Sequence, residues 1–428
     1  MDLPSESKTV RSDATARSSW ASWIPLALFV VFLLLLAIRI ATPWQFLHDD
    51  NGAWFSATAK THLLRGLEET KGQDFFLPRQ SQALKPYLHH PPFISLYLAG
   101  VFRVTGADTP LVARASMALL HILTFLIFLR LAKMLTGGAV LPYLWAAFVF
   151  ATVPMSVYFG KMPNHEVPGL LFLELGIFSS LNLKWREAAS LKWLIPISLA
   201  WMLTAFSSWH AALAALVFIL CFSIVLTPKA RHLFLPVSGT VLLGSLALVG
   251  GQLLWANHWQ WLPSQETAVR HWLGPEETSL PAFWLKNFTK IARHGCRFYA
   301  GIPWLLAFGW TLWAGIRLIR RQRLSDTDVF VLAMGLGSII YCAVFSRAAR
   351  IHAYQQFYSL PFIAIASALA LSTLYDSLAR WRKNAALSLV ILLILSTALS
   401  ALYSLSRLYL KANTYAVEAA RAITTQFY

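Results

Sequence analysis

Eleven continuous apolar runs, separated by short polar segments, divide most of the chain: 22–42, 111–135, 139–159, 166–183, 191–206, 209–227, 233–256, 301–319, 327–345, 354–375 and 385–405. A helix needs about twenty such residues to cross a hydrocarbon core of roughly 30 Å. None of the runs alternates with period two, so the pattern predicts helices, which satisfy their backbone hydrogen bonds within each segment, rather than a barrel. The first run follows Lys8, Arg11 and Arg17 and is too long for the apolar core of a cleaved signal, so it reads as a retained anchor. The stretch 43–110 is too long for a simple connector. It contains a helix-like segment from Trp54 to Leu67 and a short apolar segment from Pro92 to Val104, which is predicted to lie along the membrane interface.

The expected architecture is therefore an all-α polytopic membrane protein with about eleven transmembrane helices. A cytoplasmic N-terminal tail (1–21) leads into a transmembrane domain (22–405) with long outer loops at 43–110 and 257–300, and a short outer C-terminal tail (406–428) follows. Composition agrees: 57% of the 428 residues are hydrophobic and the mean hydropathy is +0.55. No room remains for a sizeable soluble domain.

Charge sets the orientation. Lys and Arg flanking spans are held on the cytoplasmic side. With the N-terminus inside, that side carries the clusters at Lys8 to Arg17, Arg130 and Lys133, Lys184 to Lys192, Lys229 and Arg231, Arg317 to Arg323, and Arg380 to Lys383. The net charge of +17 is thus largely a topology signal plus attraction to anionic lipid, and no basic soluble module supports nucleic-acid binding. The same orientation places 43–110, 160–165, 257–300 and 346–353 outside.

Candidate chemistry collects on that outer side. Asp49 and Asp50 are adjacent carboxylates just after the first run, where the chain re-enters water. Adjacent acids at a bilayer rim read as an active site for chemistry on a membrane-bound substrate, where a carboxylate can take a proton. The competing use of the Asp pair is to cap the helix beginning near Ala53. Arg347 and Arg350 lie outside against the positive-inside bias and are candidate phosphate ligands, with snorkelling to headgroups as the plainer use. Lys85, His89 and His90 offer the same service from the first loop, and His352 and Tyr354 follow the two arginines. Glu166 opens a span, where the helix dipole favours a carboxylate regardless of function. Trp255, Trp259, Trp261 and Trp272 read first as interfacial belt residues and second as a platform for sugar rings. The three cysteines are widely spaced and predict neither a disulfide framework nor a zinc site. No P-loop or dinucleotide fingerprint is present, so an activated donor would arrive on another carrier, for which a lipid phosphate is the obvious choice.

Three segments carry a family resemblance: His48-Asp49-Asp50-Asn51-Gly52-Ala53-Trp54 with Gly66, Phe75-Phe76-Leu77-Pro78 and His89-His90-Pro91-Pro92-Phe93; Tyr158 to Glu166; and Arg350-Ile351-His352-Ala353-Tyr354 with Leu360-Pro361-Phe362. In order and spacing, over roughly residues 20–375, these resemble the GT-C membrane glycosyltransferases, and within them the protein O-mannosyltransferase and lipid A aminoarabinose transferase branch. The resemblance implies an inverting transfer of a sugar from a polyprenyl-phosphate carrier to a lipid, glycan or protein acceptor at the outer face of the cytoplasmic membrane. By family position Asp49 is the expected base, with Asp50 orienting it or binding sugar. The implied substrate ligands are Lys85, His89, His90, Glu166, Arg347, Arg350, His352 and Tyr354. A divalent cation is a possible cofactor, with Asp49 and Glu166 as candidate ligands. The chain departs from many relatives in carrying His90 before the Pro-Pro element, where they have Lys or Glu. Two rival classes share the architecture: a lipid-carrier transporter or flippase, which ordinarily places ionisable groups near the midplane and shows repeated halves, and a non-catalytic subunit that keeps the scaffold.

Overall fold

The computed structural model describes residues 20–76, 85–87, 90–185, 191–257, 263, 266, 280–410 and 412–427. Its helices are α1 (Trp20–Ala37), α2 (Asp49–Thr70), α3 (Phe93–Thr105), α4 (Pro110–Leu135), α5 (Val140–Thr152), α6 (Pro154–Phe159), α7 (Glu166–Trp185), α8 (Leu194–Ser207), α9 (Trp209–Val225) and α10 (Pro228–Ala256). They continue with α11 (Leu280–Phe298), α12 (Ile302–Ile319), α13 (Asp326–Val344), α14 (Ser346–Ile351), α15 (Leu360–Ala379), α16 (Lys383–Tyr409) and α17 (Thr414–Phe427), with a 3-10 segment at Ala353–Ser359 before α15. Strands β1 (Asp74–Phe76) and β2 (Lys85–Tyr87) form one antiparallel pair in which Asp74 stands opposite Tyr87.

Seven of the described helical segments are long and apolar enough to cross a membrane, and α1, α3, α5, α8 and α9 are shorter apolar helices. The apolar windows of α12 and α16 are only 22% buried within the protein. Exposed Leu392, Leu395, Leu399 and Leu402 leave an apolar face along α16, as suits a helix that crosses a membrane. Toward the interior, Phe32, Phe125, Phe128 and Phe150 form an aromatic core with His121, whose Nε2 is bonded to Ser156 Oγ at 2.8 Å.

Local sequence explains the departures from unbroken spans. The run 139–159 divides because Val153 precedes Pro154 and is held extended (ψ 143°), which ends α5 and lets α6 start with proline in its first turn. Gly66 takes φ 78° and ψ 164° inside α2, a conformation that favours glycine and bends the helix. Within 257–300, α11 turns Phe283, Asn287 and Phe298 inward, an amphipathic pattern that places a helix where only a loop was expected. The segment after 405 is likewise structured: α16 runs to Tyr409, and α17 packs back on α2. Trp259, Trp261 and Trp272 lie outside the described residues.

Candidate active site

The turn between α1 and α2 is fixed by a set of buried donors. Asp49 is 3% exposed, and its Oδ2 accepts the backbone N–H groups of Gln45 and Phe46, each at 2.8 Å, and the guanidinium of Arg114 at 2.9 Å. Arg114, from the first turns of α4, also donates to the carbonyls of Ile40, Thr42 and Pro43 and stacks over the Trp44 ring at 4.3 Å. Trp44 in turn lies where a side chain on Gly52 would be, 2.5 Å from an added Cβ, so this approach requires glycine. Tyr158 donates to Leu47 O, Lys161 donates to the last carbonyls of α1, and Asn413 N donates to Gln45 O at 2.8 Å. Burial lowers the Lys161 ammonium to about 7, with Arg114 adding to the effect. Asp49 was expected to face an acceptor. Its Oδ2 instead holds three donors of the protein itself.

Asp50, the next residue, is half-buried and belongs to a different surface. Burial raises its carboxyl, and the neighbouring Asp49 charge raises it further, against two backbone N–H groups that lower it. His48, held at φ 63°, presents its ring to Tyr354 (centroids 5.0 Å) and His352 (5.7 Å). Burial, then the neighbouring His352 and His294, lowers His48 to about 3, and burial, then His165, lowers His352 to about 4, so both rings are neutral at pH 7. The Tyr354 hydroxyl interacts with Asn51 and lies in the fields of both Glu166 and Asp50.

The loop before α7 supplies the other wall. His165 Nε2 lies 2.9 Å from Glu166 Oε1, and His90 stacks on His165 with ring centroids 4.0 Å apart. Both residues of the pair are buried, and no described group makes a well-aligned hydrogen bond to either Glu166 oxygen or to His165 Nδ1. Tyr341, Tyr354 and Tyr358 all lie in the field of Glu166. Trp54, one turn after Asp50 on α2, donates to Phe75 O at 2.7 Å and packs edge-on to Tyr87 (4.3 Å). Tyr87 lies 5.9 Å from His90.

The site residues expected from sequence are thus placed unequally. His90 and Glu166 both meet His165, His352 and Tyr354 pack together, and Tyr354 feels Glu166 and Asp50, whereas Asp49 is enclosed in the turn. Arg347 and Arg350 share one face of α14; Arg350 is buried, and its carbonyl lies 3.0 Å from His294 Nε2. Lys85 falls in β2, but its side chain, and His89 altogether, lie outside the described residues. Among the described residues no three His, Cys, Asp or Glu side chains are grouped to hold a metal ion. Sequence reasoning passed over His48, Asp74, Tyr87, Arg114 and His165. The signal for Arg114 was present: an arginine inside an apolar helix calls for a buried carboxylate. Asp74, in a polar loop after Gly72, resembles an ordinary turn residue and gave none.

No protein-family model matches the sequence, and no curated protein matches it. Solved structures do. The apo oligosaccharyltransferase of Archaeoglobus fulgidus aligns with a TM-score of 0.61 at 13% identity over 91% of this chain and 56% of its own. The Archaeoglobus fulgidus AglB complex with an inhibitory peptide and a dolichol-phosphate aligns with a TM-score of 0.58 at 13% identity, over 90% of this chain and 55% of that one. ArnT from Cupriavidus metallidurans bound to undecaprenyl phosphate gives 0.59 at 13% identity, over 95% and 77%. The chain spans a little over half the length of the oligosaccharyltransferase. At these identities the likeness concerns architecture, and the chain has the fold of the GT-C membrane glycosyltransferases.

Proposed function

We propose that the protein is an inverting glycosyltransferase that moves a sugar from a polyprenyl-phosphate carrier to a hydroxyl or phosphate acceptor at the outer face of the cytoplasmic membrane. The observation that carries this reading is the buried His165–Glu166 pair, stacked on His90, in a fold shared with ArnT and AglB, with Tyr354 in the fields of both Glu166 and Asp50. ArnT and AglB, which share the fold, were solved with undecaprenyl phosphate and a dolichol-phosphate respectively, which supports the same class of carrier here.

In this reading Asp50, rather than Asp49, is the base. Asp49 Oδ2 is engaged by Arg114 and two backbone N–H groups, whereas Asp50 is half-buried beside it, and burial raises its carboxyl. The acceptor O–H bond breaks toward Asp50 as acceptor oxygen bonds to the anomeric carbon. The carbon–phosphate oxygen bond breaks on the opposite face, and its electron pair leaves with the polyprenyl phosphate. One displacement inverts the anomeric centre. Arg347 and Arg350, with Lys85, His89 and His90 from the first loop, are the proposed ligands of the phosphate, and Glu166, His352 and Tyr354 hold sugar and acceptor hydroxyls. Asp49 positions the turn from which Asp50 projects.

Mass spectrometry of envelope lipids, glycans and exported proteins from cells carrying the wild-type chain or Asp50→Asn tests the reading. The expected result is one species lacking a single sugar in the variant, and transfer from a labelled undecaprenyl-phosphate sugar by the wild type alone. Identical profiles, with no transfer by either protein in proteoliposomes, would overturn it. Movement of the labelled lipid across the bilayer without transfer would instead identify a flippase.

A further inference from the structure

Helix α11 presents three distinct faces. On the inward face Phe283, Asn287 and Phe298 are buried. Asn287 Nδ2 donates to Ser346 Oγ at 3.0 Å, His294 Nε2 lies 3.0 Å from Arg350 O, and Gln356 Nε2 donates to Ile291 O at 3.1 Å. This face is committed to α14 and the 3-10 segment that follows it.

The second face is cationic. Lys286, Lys290, Arg293 and Arg297 follow one another at intervals of four, three and four residues, which sets them in one stripe along the helix, and all four are exposed. The charges of Lys290, Arg297 and Arg293 all reach His294. No Asp or Glu occurs within α11 to offset them.

The third face is apolar. Leu285 is 71% and Phe288 46% exposed, and the Trp284 ring stacks on Phe288 with centroids 5.3 Å apart. Trp304, in the first turn of α12, fills the place that a side chain at Gly295 would take, and Leu305 and Phe308 beyond it are exposed. The apolar face of α11 thus runs on into the flank of a helix long and apolar enough to cross a membrane. Tryptophan suits that junction, where an apolar ring meets the wet edge of the bilayer. A helix with one apolar side and one Lys/Arg side is held in the interface plane by its buried apolar area and by attraction to anionic headgroups.

We propose that α11 lies along the bilayer surface on the side of the candidate active site, with Leu285 and Phe288 among the acyl chains and its stripe of Lys286, Lys290, Arg293 and Arg297 bound to the phosphates of anionic phospholipids. The inference stands independently of the transferase reading.

The experiment uses the full chain with Cys221→Ala and Cys342→Ala, so that the exposed Cys296 of α11 alone takes a fluorophore. In phosphatidylcholine proteoliposomes, energy transfer is measured from this label to a trace of phosphatidylglycerol carrying an acyl-chain acceptor and, in parallel, to phosphatidylcholine carrying the same acceptor. Phosphatidylglycerol is expected to be enriched about fivefold around the label, the worth of one cation beside an anionic headgroup, and more where the four act together. The enrichment should fall away in about 1 M salt, where the screening length drops to roughly 3 Å. Lys286→Gln, Lys290→Gln, Arg293→Gln and Arg297→Gln combined should abolish it, whereas Lys286→Arg, Lys290→Arg, Arg293→Lys and Arg297→Lys combined should keep it. Equal transfer to both lipids, or an enrichment that survives salt or the four glutamines, would overturn the proposal. Enrichment of labelled undecaprenyl phosphate without phosphatidylglycerol would also overturn it, by assigning the stripe to a carrier lipid. Should the glutamine variant fail to fold, the lipid comparison and its salt dependence in the labelled chain decide the matter alone.

Discussion

Two adjacent aspartates face opposite situations. Around Asp49 the charged groups are answered: Arg114, the Gln45 and Phe46 amides, Lys161 on the end of α1 and Tyr158 on Leu47 lock one turn. Around Glu166 the described residues leave buried polar atoms without a well-aligned hydrogen bond, including Glu166 Oε2 and His165 Nδ1, although Glu166 Oε1 lies 2.9 Å from His165 Nε2. Buried polar groups are ordinarily satisfied, so a cluster of open ones marks where substrate atoms belong. The difference teaches that identity in sequence is not identity in surroundings: one carboxylate is held in the turn, and its neighbour is the proposed base.

The largest expected effect separates the two sides by function. Asp50→Asn should lower transfer by about 10²- to 10⁴-fold, the usual worth of a general base, while thermal unfolding stays at the wild-type value. A variant that melts early would move Asp50 to the structural side. Next comes the clamp itself. Arg114→Ala leaves the Asp49 carboxylate buried without its counter-ion and should destabilise the protein by about 3–5 kcal/mol, read as a lowered unfolding midpoint in detergent. An unchanged midpoint would mean that water replaces the guanidinium, and the contrast would collapse. The smallest effect is the control. Arg65 and Glu69 form a 2.8 Å pair of the same chemistry, but on an exposed face of α2. Arg65→Ala should cost only about 0.3–0.5 kcal/mol, within scatter of no change.

Much of this architecture was legible in the sequence because lipid imposes a single strong rule. Apolar runs had to become helices, and their ends fall within a few residues of the expected ones: 166–183 against Glu166–Trp185, 301–319 against Ile302–Ile319. Helix α11 was missed because its apolar positions are diluted by Lys286, Lys290, Arg293 and Arg297, so its signal is periodicity rather than hydrophobicity. The site was half legible. The His-Asp-Asp and His-Glu segments stood out as polar residues at a membrane edge, but which aspartate points inward depends on Arg114, 65 residues away.

Asp49→Asn and Asp50→Asn, purified side by side and measured for both unfolding midpoint and transfer from a labelled undecaprenyl-phosphate sugar, address the central claim most directly. The account predicts that Asp49→Asn melts early because Arg114 loses its counter-charge, and that Asp50→Asn melts like the wild type and transfers nothing measurable. An Asp49→Asn protein with a wild-type midpoint and no transfer, beside an active Asp50→Asn, would contradict it.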